Sequence, residues 1–240
     1  MHLARLAELL LVSIATLAQQ QSVEITSEPS HHLVLENAYV RVFDVTVAPK
    51  ATTLVHRHHN DYLFVTLGDS DVISARPGEK PAALQLKDGE IRFTPGKFEH
   101  AAINQSDKPF HNITIELLKP TTNVKTCNGD CAEEGCIGAM ASSKPVCPSV
   151  DRRITSNEWK MSLWRLEPST QVQSESPGSN TLLIAVSDIN LEQQLDGKTL
   201  NLKLAPGGLA WIPASHLQIL KNGNAGTARY VVLEFNPEKQ

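Results

Sequence analysis

From residue 21 onwards, the chain shows no long stretch in which apolar residues recur every 3.6 positions, the spacing of an amphipathic helix. Short runs of β-branched and aromatic residues occur instead, separated by Pro, Gly, Asn and Asp. In the first half these runs are YVRVFDVTV (39–47), DYLFVTLG (61–68), EIRFTP (90–95) and HNITIELL (111–118). This spacing predicts an all-β sandwich or barrel.

The second half repeats the pattern, for example in EWKMSLWRLEP (158–168) and RYVVLEF (229–235). Five positions of the first half have counterparts 118 residues later: Gly89 and Gly207, Pro95 and Pro213, His100 and Gln218, Asn104 and Asn222, Glu116 and Glu234. Upstream, similar runs end at Pro49 and Pro168, at an offset of 119. Such self-similarity indicates a duplicated β domain.

The N-terminal residues 1–20 have the features of a secretory signal peptide. Arg5 supplies a positive region, residues 9–17 form an apolar core, and Ala15 and Ala18 have the spacing of a small-residue cleavage site. A core of about nine residues is too short to cross a bilayer roughly 30 Å thick. We predict export to the periplasm or secretion, with no membrane span in the mature chain; the alternative is a retained amphipathic helix.

All four cysteines, Cys127, Cys131, Cys136 and Cys147, lie in one short segment. In an exported chain an even number of cysteines favours disulfides, here two bridges with three possible pairings. A zinc site is the alternative, but the paired C-x2-C spacing is absent, and free thiols are the third case. Because the segment has no strand pattern, we predict a Cys-rich linker or inserted loop at residues 121–149.

The charge balance limits the class of partner. The net charge is −4, with 41% hydrophobic and 20% charged residues. A phosphate-binding surface needs clustered Lys and Arg, so nucleic acid is not expected as a partner. We expect a small-molecule ligand or substrate, and the composition indicates no particular oligomeric state.

Two histidine-containing motifs carry the candidate chemistry. His56-Arg57-His58 precedes the run at 61–68. The second motif consists of Gly89, Pro95, His100 and Asn104. Together they resemble the two motifs of the cupin family, although Lys97 stands where that family has a further glycine.

The resemblance to cupins implies two tandem double-stranded β-helix (jelly-roll) barrels, at residues 21–120 and 150–240. It also implies one divalent metal ion (Fe, Mn, Zn, Ni or Cu) in the first barrel, bound by His56, His58 and His100. Residues i and i+2 of a strand share a face, so His56 and His58 can both point inward. Three imidazoles on one side of an ion leave the opposite side open for water, O2 or substrate.

The fourth cupin ligand, a glutamate, has no clear counterpart. Counting four residues on from His58 gives Tyr62, whereas counting seven back from the turn at Gly68 gives Asp61. Strand alternation favours Tyr62 facing inward. We therefore prefer a three-histidine site with Tyr62 beside it as a hydrogen-bond donor and candidate catalytic residue; three histidines plus Asp61 is the alternative.

The remaining histidines are not expected to be ligands. By alternation, His59 faces away from the site. His31 and His32 precede the first clear strand and are predicted to be an exposed tail. His111 lies outside both motifs and is predicted at the surface or behind the ligands, and His216 lies two residues short of the aligned position.

The second domain is predicted to be a degenerate cupin-like domain. It has SESPGS (174–179) where the first histidine pair should map, and Gln218 where the third should. Neutral amides bind first-row metals weakly, so this half is expected to be structural and to close the interface between the barrels. The rival interpretation is an uncharged ligand in a pocket lined by Trp211 and Gln218.

We therefore expect a metal-dependent oxygenase or isomerase that acts on a small polar molecule. A metal would polarise a substrate oxygen or activate O2, and Tyr62 could donate a proton. The alternatives are a non-catalytic protein that binds a sugar or organic acid, and a purely structural metal site.

Overall fold

The computed structural model describes residues 21–128, 149–173, 178–195, 197–214 and 218–236. Apart from one 3-10 turn at Ile25–Ser27, the regular elements of these residues are all strands, which confirms the predicted fold class. The predicted signal peptide and three of the four cysteines lie outside the described residues, so export and the disulfides stay predictions. Within the described part, no helix is long and apolar enough to cross a membrane.

The first half forms a barrel from two facing sheets. Its strands are β1 Val23–Glu24, β2 His31–Glu36, β3 Val40–Val47, β4 His56–His58, β5 Tyr62–Leu67, β6 Ser70–Ala75, β7 Ala82–Leu86, β8 Ile91–Thr94, β9 Phe98–Asn104 and β10 Phe110–Leu117. One sheet has the order β1-β4-β9-β6-β7, and the other has the order β2-β3-β10-β5-β8. We call this unit the first barrel.

The second half repeats the architecture and is called the second barrel. Its strands are β11 Lys125–Asn128, β12 Ser149–Thr155, β13 Trp159–Leu166, β14 Gln171–Gln173, β15 Asn180–Ala185, β16 Ile189–Leu195, β17 Lys198–Leu204, β18 Leu209–Ile212, β19 Gln218–Asn222 and β20 Ala228–Phe235. Its two sheets have the orders β11-β12-β13-β20-β15-β18 and β14-β19-β16-β17.

Equivalent asparagines hold the same turn in both barrels. The amide of Asn104 donates to the carbonyl oxygens of Val47 (3.1 Å) and Lys108 (2.7 Å). The amide of Asn222 donates to the carbonyl oxygens of Leu166 and Gly226, at 2.8 and 2.9 Å. Both side chains are buried, so each fixes the chain reversal after the strand that carries the third histidine or its counterpart.

A shared apolar core joins the two barrels. It includes Ile91 and Ile113 from the first barrel and Leu163 and Val231 from the second. Trp211 packs here against Tyr39 and Phe235, with ring centroids 5.7 and 5.8 Å away. Trp211 therefore faces the neighbouring barrel, and the interpretation that it lines a pocket of the second barrel is wrong.

The motif glycines mark two equivalent contacts in this interface. Gly89 has φ +76°, and a Cβ there would lie 2.7 Å from Nη2 of Arg229. Gly207 has φ +83°, and a Cβ there would lie 3.4 Å from Cε1 of His111. Arg229 and His111 occupy equivalent positions, 118 residues apart, so each barrel places the same side-chain position over the glycine turn of the other. Val186 at Gly89 and Leu67 at Gly207 lie beside them.

The Cys-rich segment contains a strand that the sequence did not predict. Lys125–Asn128 pairs antiparallel with β12, with Cys127 opposite Arg153. All four of its residues are exposed, so no apolar alternation marks it. The strand is held by backbone hydrogen bonds to β12 and adds an edge strand to one sheet of the second barrel.

Candidate metal centre

Two neighbouring strands bring the three motif histidines together. β4 pairs antiparallel with β9, and His56 lies directly opposite His100. His56 and His58 are each 1% exposed, whereas Arg57 between them points outward to Glu99. One ring nitrogen from each of the three histidines lies within 4.8 Å of the others. This His triad is thus a compact group of nitrogen donors.

The distal ring nitrogens orient two members of the triad. Nδ1 of His56 lies 2.9 Å from the carbonyl oxygen of Leu54, which can only accept, so Nδ1 carries the proton and Nε2 keeps its lone pair. That Nε2 atom is buried and has no hydrogen-bond partner. Nδ1 of His100 contacts Oγ of Ser74 at 2.9 Å, and its Nε2 lies 3.3 Å from Nε2 of His58.

The three imidazoles are neutral at pH 7. Burial is the main cause, and it lowers the pKa of His56 to about 4 and that of His100 to about 3. The pKa of His58 is lowered further, again mainly by burial and then by the neighbouring His100. Three neutral imidazoles, with Nε2 of His56 and Nδ1 of His58 buried and without a hydrogen-bond partner, fit a divalent transition metal such as iron, zinc, nickel or copper.

Tyr62 lies beside the triad, whereas Asp61 does not. The Tyr62 ring stacks on His58 at a centroid distance of 4.2 Å and an interplanar angle of 17°. Burial raises the pKa of Tyr62 to about 12, although its hydrogen bond with Thr94 opposes this. Oδ1 of Asp61 instead accepts the backbone N–H of Gly96 at 2.8 Å. Tyr62 thus keeps its proton at the site, and the Asp61 carboxylate holds the turn between β8 and β9.

The triad opens onto a cavity of about 340 Å³ inside the first barrel. Polar side chains such as Thr53, Asn112 and Thr114 line it together with six apolar ones, Val45, Phe64, Val72, Leu84, Leu86 and Phe110. The charged residues that line it are Arg76, Glu79, Lys80 and Arg92. A pocket of this size suits a small organic molecule.

His31 lies beside the triad, although the sequence pattern did not place it there. The prediction of an exposed tail is wrong for His31, which begins β2 and has a side chain only 5% exposed. Its Nδ1 lies 2.6 Å from Oε2 of buried Glu28, and its ring centroid lies 4.6 Å from that of His56. Oε1 of Glu28 also accepts the N–H of Leu54, the residue whose carbonyl orients His56.

The other histidines lie away from the triad where they are described. His32 is exposed. His59 is exposed and bonds Oε2 of Glu24 at 2.9 Å. His111 bonds Asp44 at 2.8 Å and faces the second barrel. The predictions for His216 and for the side chain of Gln218 fall outside the described residues.

Large side chains of the described residues pack in the equivalent interior of the second barrel. Trp164, Leu183, Leu220 and Tyr230 belong to one buried cluster there. Thr181 lies opposite Glu234 as Tyr62 lies opposite Glu116. A threonine therefore stands in the second barrel at the position of the tyrosine in the first. Among the described residues, the His triad is the one group found that can hold a metal.

Comparison with solved structures identifies the fold. AerE from Microcystis aeruginosa is 10% identical and superposes with a TM-score of 0.59, over 88% of this chain and 99% of that one. Salicylate 1,2-dioxygenase from Pseudoaminobacter salicylatoxidans is 12% identical, with a TM-score of 0.54 over 82% of this chain and 68% of that one. No protein-family model and no curated protein sequence matches.

A third similar structure is oxalate decarboxylase, which is 10% identical and has a TM-score of 0.56 over 88% of this chain and 76% of that one. The Bacillus subtilis enzyme has Mn(II) centres. At these identities the similarity shows the fold alone. All three are cupin-fold proteins, and the present chain therefore has a cupin fold in a bicupin-like arrangement.

Proposed function

We propose that the first barrel is a metal-dependent enzyme, of the oxygenase or isomerase type, that acts on a small molecule at the His triad. The observation that carries this proposal is the convergence of three neutral, buried imidazoles at the edge of a cavity. A metal used only for structure would not need a cavity beside it. The similar structures include a dioxygenase and a decarboxylase, which is consistent with metal chemistry on this fold.

His56, His58 and His100 would hold the ion, and a bound divalent metal would supply Lewis acidity or O2 activation. The chain itself provides orientation. Leu54 and Ser74 fix the rings of His56 and His100 through their distal nitrogens. Such contacts behind the ligands set the direction in which each lone pair points.

Tyr62 would bind a substrate oxygen through its hydroxyl group. Since its pKa is raised to about 12, the phenol is protonated at pH 7 and can donate a hydrogen bond or a proton. Thr94 and the His58 ring hold the phenol in place. The apolar side chains that line the cavity would exclude water from part of the bound molecule.

Metal analysis of the purified full chain tests the proposal. We expect one equivalent of a first-row divalent metal in the wild type and none in a His56→Ala, His100→Ala variant. His59→Ala is the matched control because it removes an exposed imidazole from the same segment. Circular dichroism should show that all three proteins are folded.

Two results would contradict the proposal. One is a metal-free wild type that takes up none of Fe, Mn, Zn, Ni or Cu. The other is a double variant that keeps its metal. For wild type that does bind iron, O2 uptake with small diketones, thiols and phenols would separate an oxygenase from an isomerase.

A further inference from the structure

The charges around the cavity are unbalanced. Of the four charged residues that line it, three are cations, and Glu79 is the single carboxylate. The side chain of Glu79 is 63% exposed, so water screens much of its charge. The triad adds no negative charge because its donors are neutral imidazoles. A divalent ion bound there would make the cavity strongly positive.

Among these cations, Arg76 is the one placed to contact a bound molecule beside the triad. Its guanidinium lies 3.9 Å above the ring centroid of Phe98. The Phe98 ring in turn stacks on His58, with a centroid distance of 5.4 Å and an interplanar angle of 22°.

Arg76 is also weakly paired, unlike Arg92. The nearest carboxylate oxygen to Arg76 belongs to Glu79, 4.0 Å away. Arg92 donates a hydrogen bond from Nε to Oε1 of Glu90 at 2.8 Å. A guanidinium that lies over an aromatic ring and has no close carboxylate partner keeps its N–H groups available for a planar anion.

Much of the rest of the cavity wall is hydrophobic. Phe64, Leu84 and Leu86 line it together with Val45, Val72 and Phe110. The polar side chains that also line it include Thr53, Ser74, Asn112 and Thr114, and each of these four already has a hydrogen bond within the protein. A ligand with a hydrocarbon body gains free energy by entering such a space, whereas a polyhydroxylated ligand would lose hydrogen bonds to water.

We propose that the first barrel selects small carboxylic acids with an apolar or aromatic body, with the carboxylate bound between the open side of the triad and Arg76. This rests on the proposed function, because it places the ligand at the same metal centre. It narrows the expected small polar molecule to an organic anion that is polar at one end only.

Titration calorimetry with the full chain loaded with Zn(II) tests the proposal. The probes are benzoate, its uncharged analogue benzamide, and gluconate, a carboxylate with a polar body. We expect benzoate to bind at least about tenfold more tightly than either, since a charge-assisted hydrogen bond contributes about 1.5–3 kcal/mol.

Arg76→Gln should remove the preference for benzoate over benzamide. Arg76→Lys keeps the charge without the planar fork and should retain part of that preference. Lys87→Gln is the matched control, because it removes an exposed positive charge outside the cavity. Its benzoate affinity should stay within about twofold of wild type, as expected for a screened surface charge.

The outcomes separate the two proposals. Failure of the wild type to bind Zn(II) or any other first-row metal would contradict the proposed function, and the metal-free protein would still show whether Arg76 favours benzoate. Metal-loaded protein that binds benzamide or gluconate as tightly as benzoate would overturn the carboxylate proposal alone. Loss of the preference in Arg92→Gln but not in Arg76→Gln would overturn the assignment of Arg76.

Discussion

The two barrels share a framework but differ in their interiors. Val45 lies opposite Asn112 in the first barrel, and Trp164 lies opposite Tyr230 on the corresponding two strands of the second. Val45 is therefore equivalent to Trp164, and Asn112 is equivalent to Tyr230. Val45 and Asn112 line the cavity, whereas Trp164 and Tyr230 lie in the packed cluster of the second barrel. Larger side chains therefore fill in one barrel the space that the other leaves open.

The third histidine strand shows the same difference. Ala102 lines the cavity of the first barrel, and its counterpart Leu220 is buried in the cluster of the second. By contrast, the turn asparagines keep the same hydrogen bonds in both barrels. Different residues thus hold the turns and shape the interior, so a barrel can lose its cavity while it keeps its fold.

The strongest expected effect comes from opening the filled barrel. Trp164→Val places in the second barrel the residue that lines the cavity of the first. It should lower the free energy of unfolding by about 3 kcal/mol, because a large buried side chain leaves a void. Denaturant unfolding measures this change.

Ala102→Leu is the converse control, since it adds volume to a space that is already open. Its free energy of unfolding should stay within about 1 kcal/mol of wild type. Equal destabilisation by both substitutions would mean that the first barrel is packed as tightly as the second.

A smaller and symmetric loss is expected from the shared framework. Asn104→Ala and Asn222→Ala each leave buried carbonyl groups without donors and should each cost about 2 kcal/mol of stability. Urea unfolding measures the stability of each variant, and titration with Zn(II) measures its metal affinity. Asn222→Ala should not change metal affinity, and a clear weakening in that variant would show that the second barrel also shapes the metal centre.

The smallest expected effect concerns the residues behind the ligands. Glu28→Gln should weaken metal binding about tenfold, as for other groups that orient a ligand, because Glu28 bonds both His31 and the N–H of Leu54. Glu24→Gln removes an exposed carboxylate that bonds His59 and serves as the matched control. A metal affinity that Glu28→Gln leaves unchanged would argue against a role for Glu28 in positioning His56.

Much of this architecture follows from local patterns. The alternation of apolar residues and the offset of 118 predict the strands and the duplication, and the histidine spacing identifies the triad. His31 could not be placed in the same way. It belongs to β2 of one sheet, whereas His56 belongs to β4 of the other, so only the packing of the two sheets brings their rings together.

Trp211 and the strand Lys125–Asn128 escaped prediction for related reasons. Alternation along a strand shows which residues share a face, but it does not show whether that face meets a barrel interior or a neighbouring barrel. Lys125–Asn128 has exposed side chains and is held by backbone pairing with β12, which leaves no hydrophobic pattern in the sequence.

The reciprocal contacts at Gly89 and Gly207 have one more consequence. A side chain of each half covers the glycine turn of the other, which is the isologous geometry of a two-fold homodimer, here contained in a single polypeptide. In a true homodimer one substitution changes both sides at once. Covalent linkage removes that constraint, so Arg229 and His111 can differ. One half can then specialise while the other half keeps covering its interface.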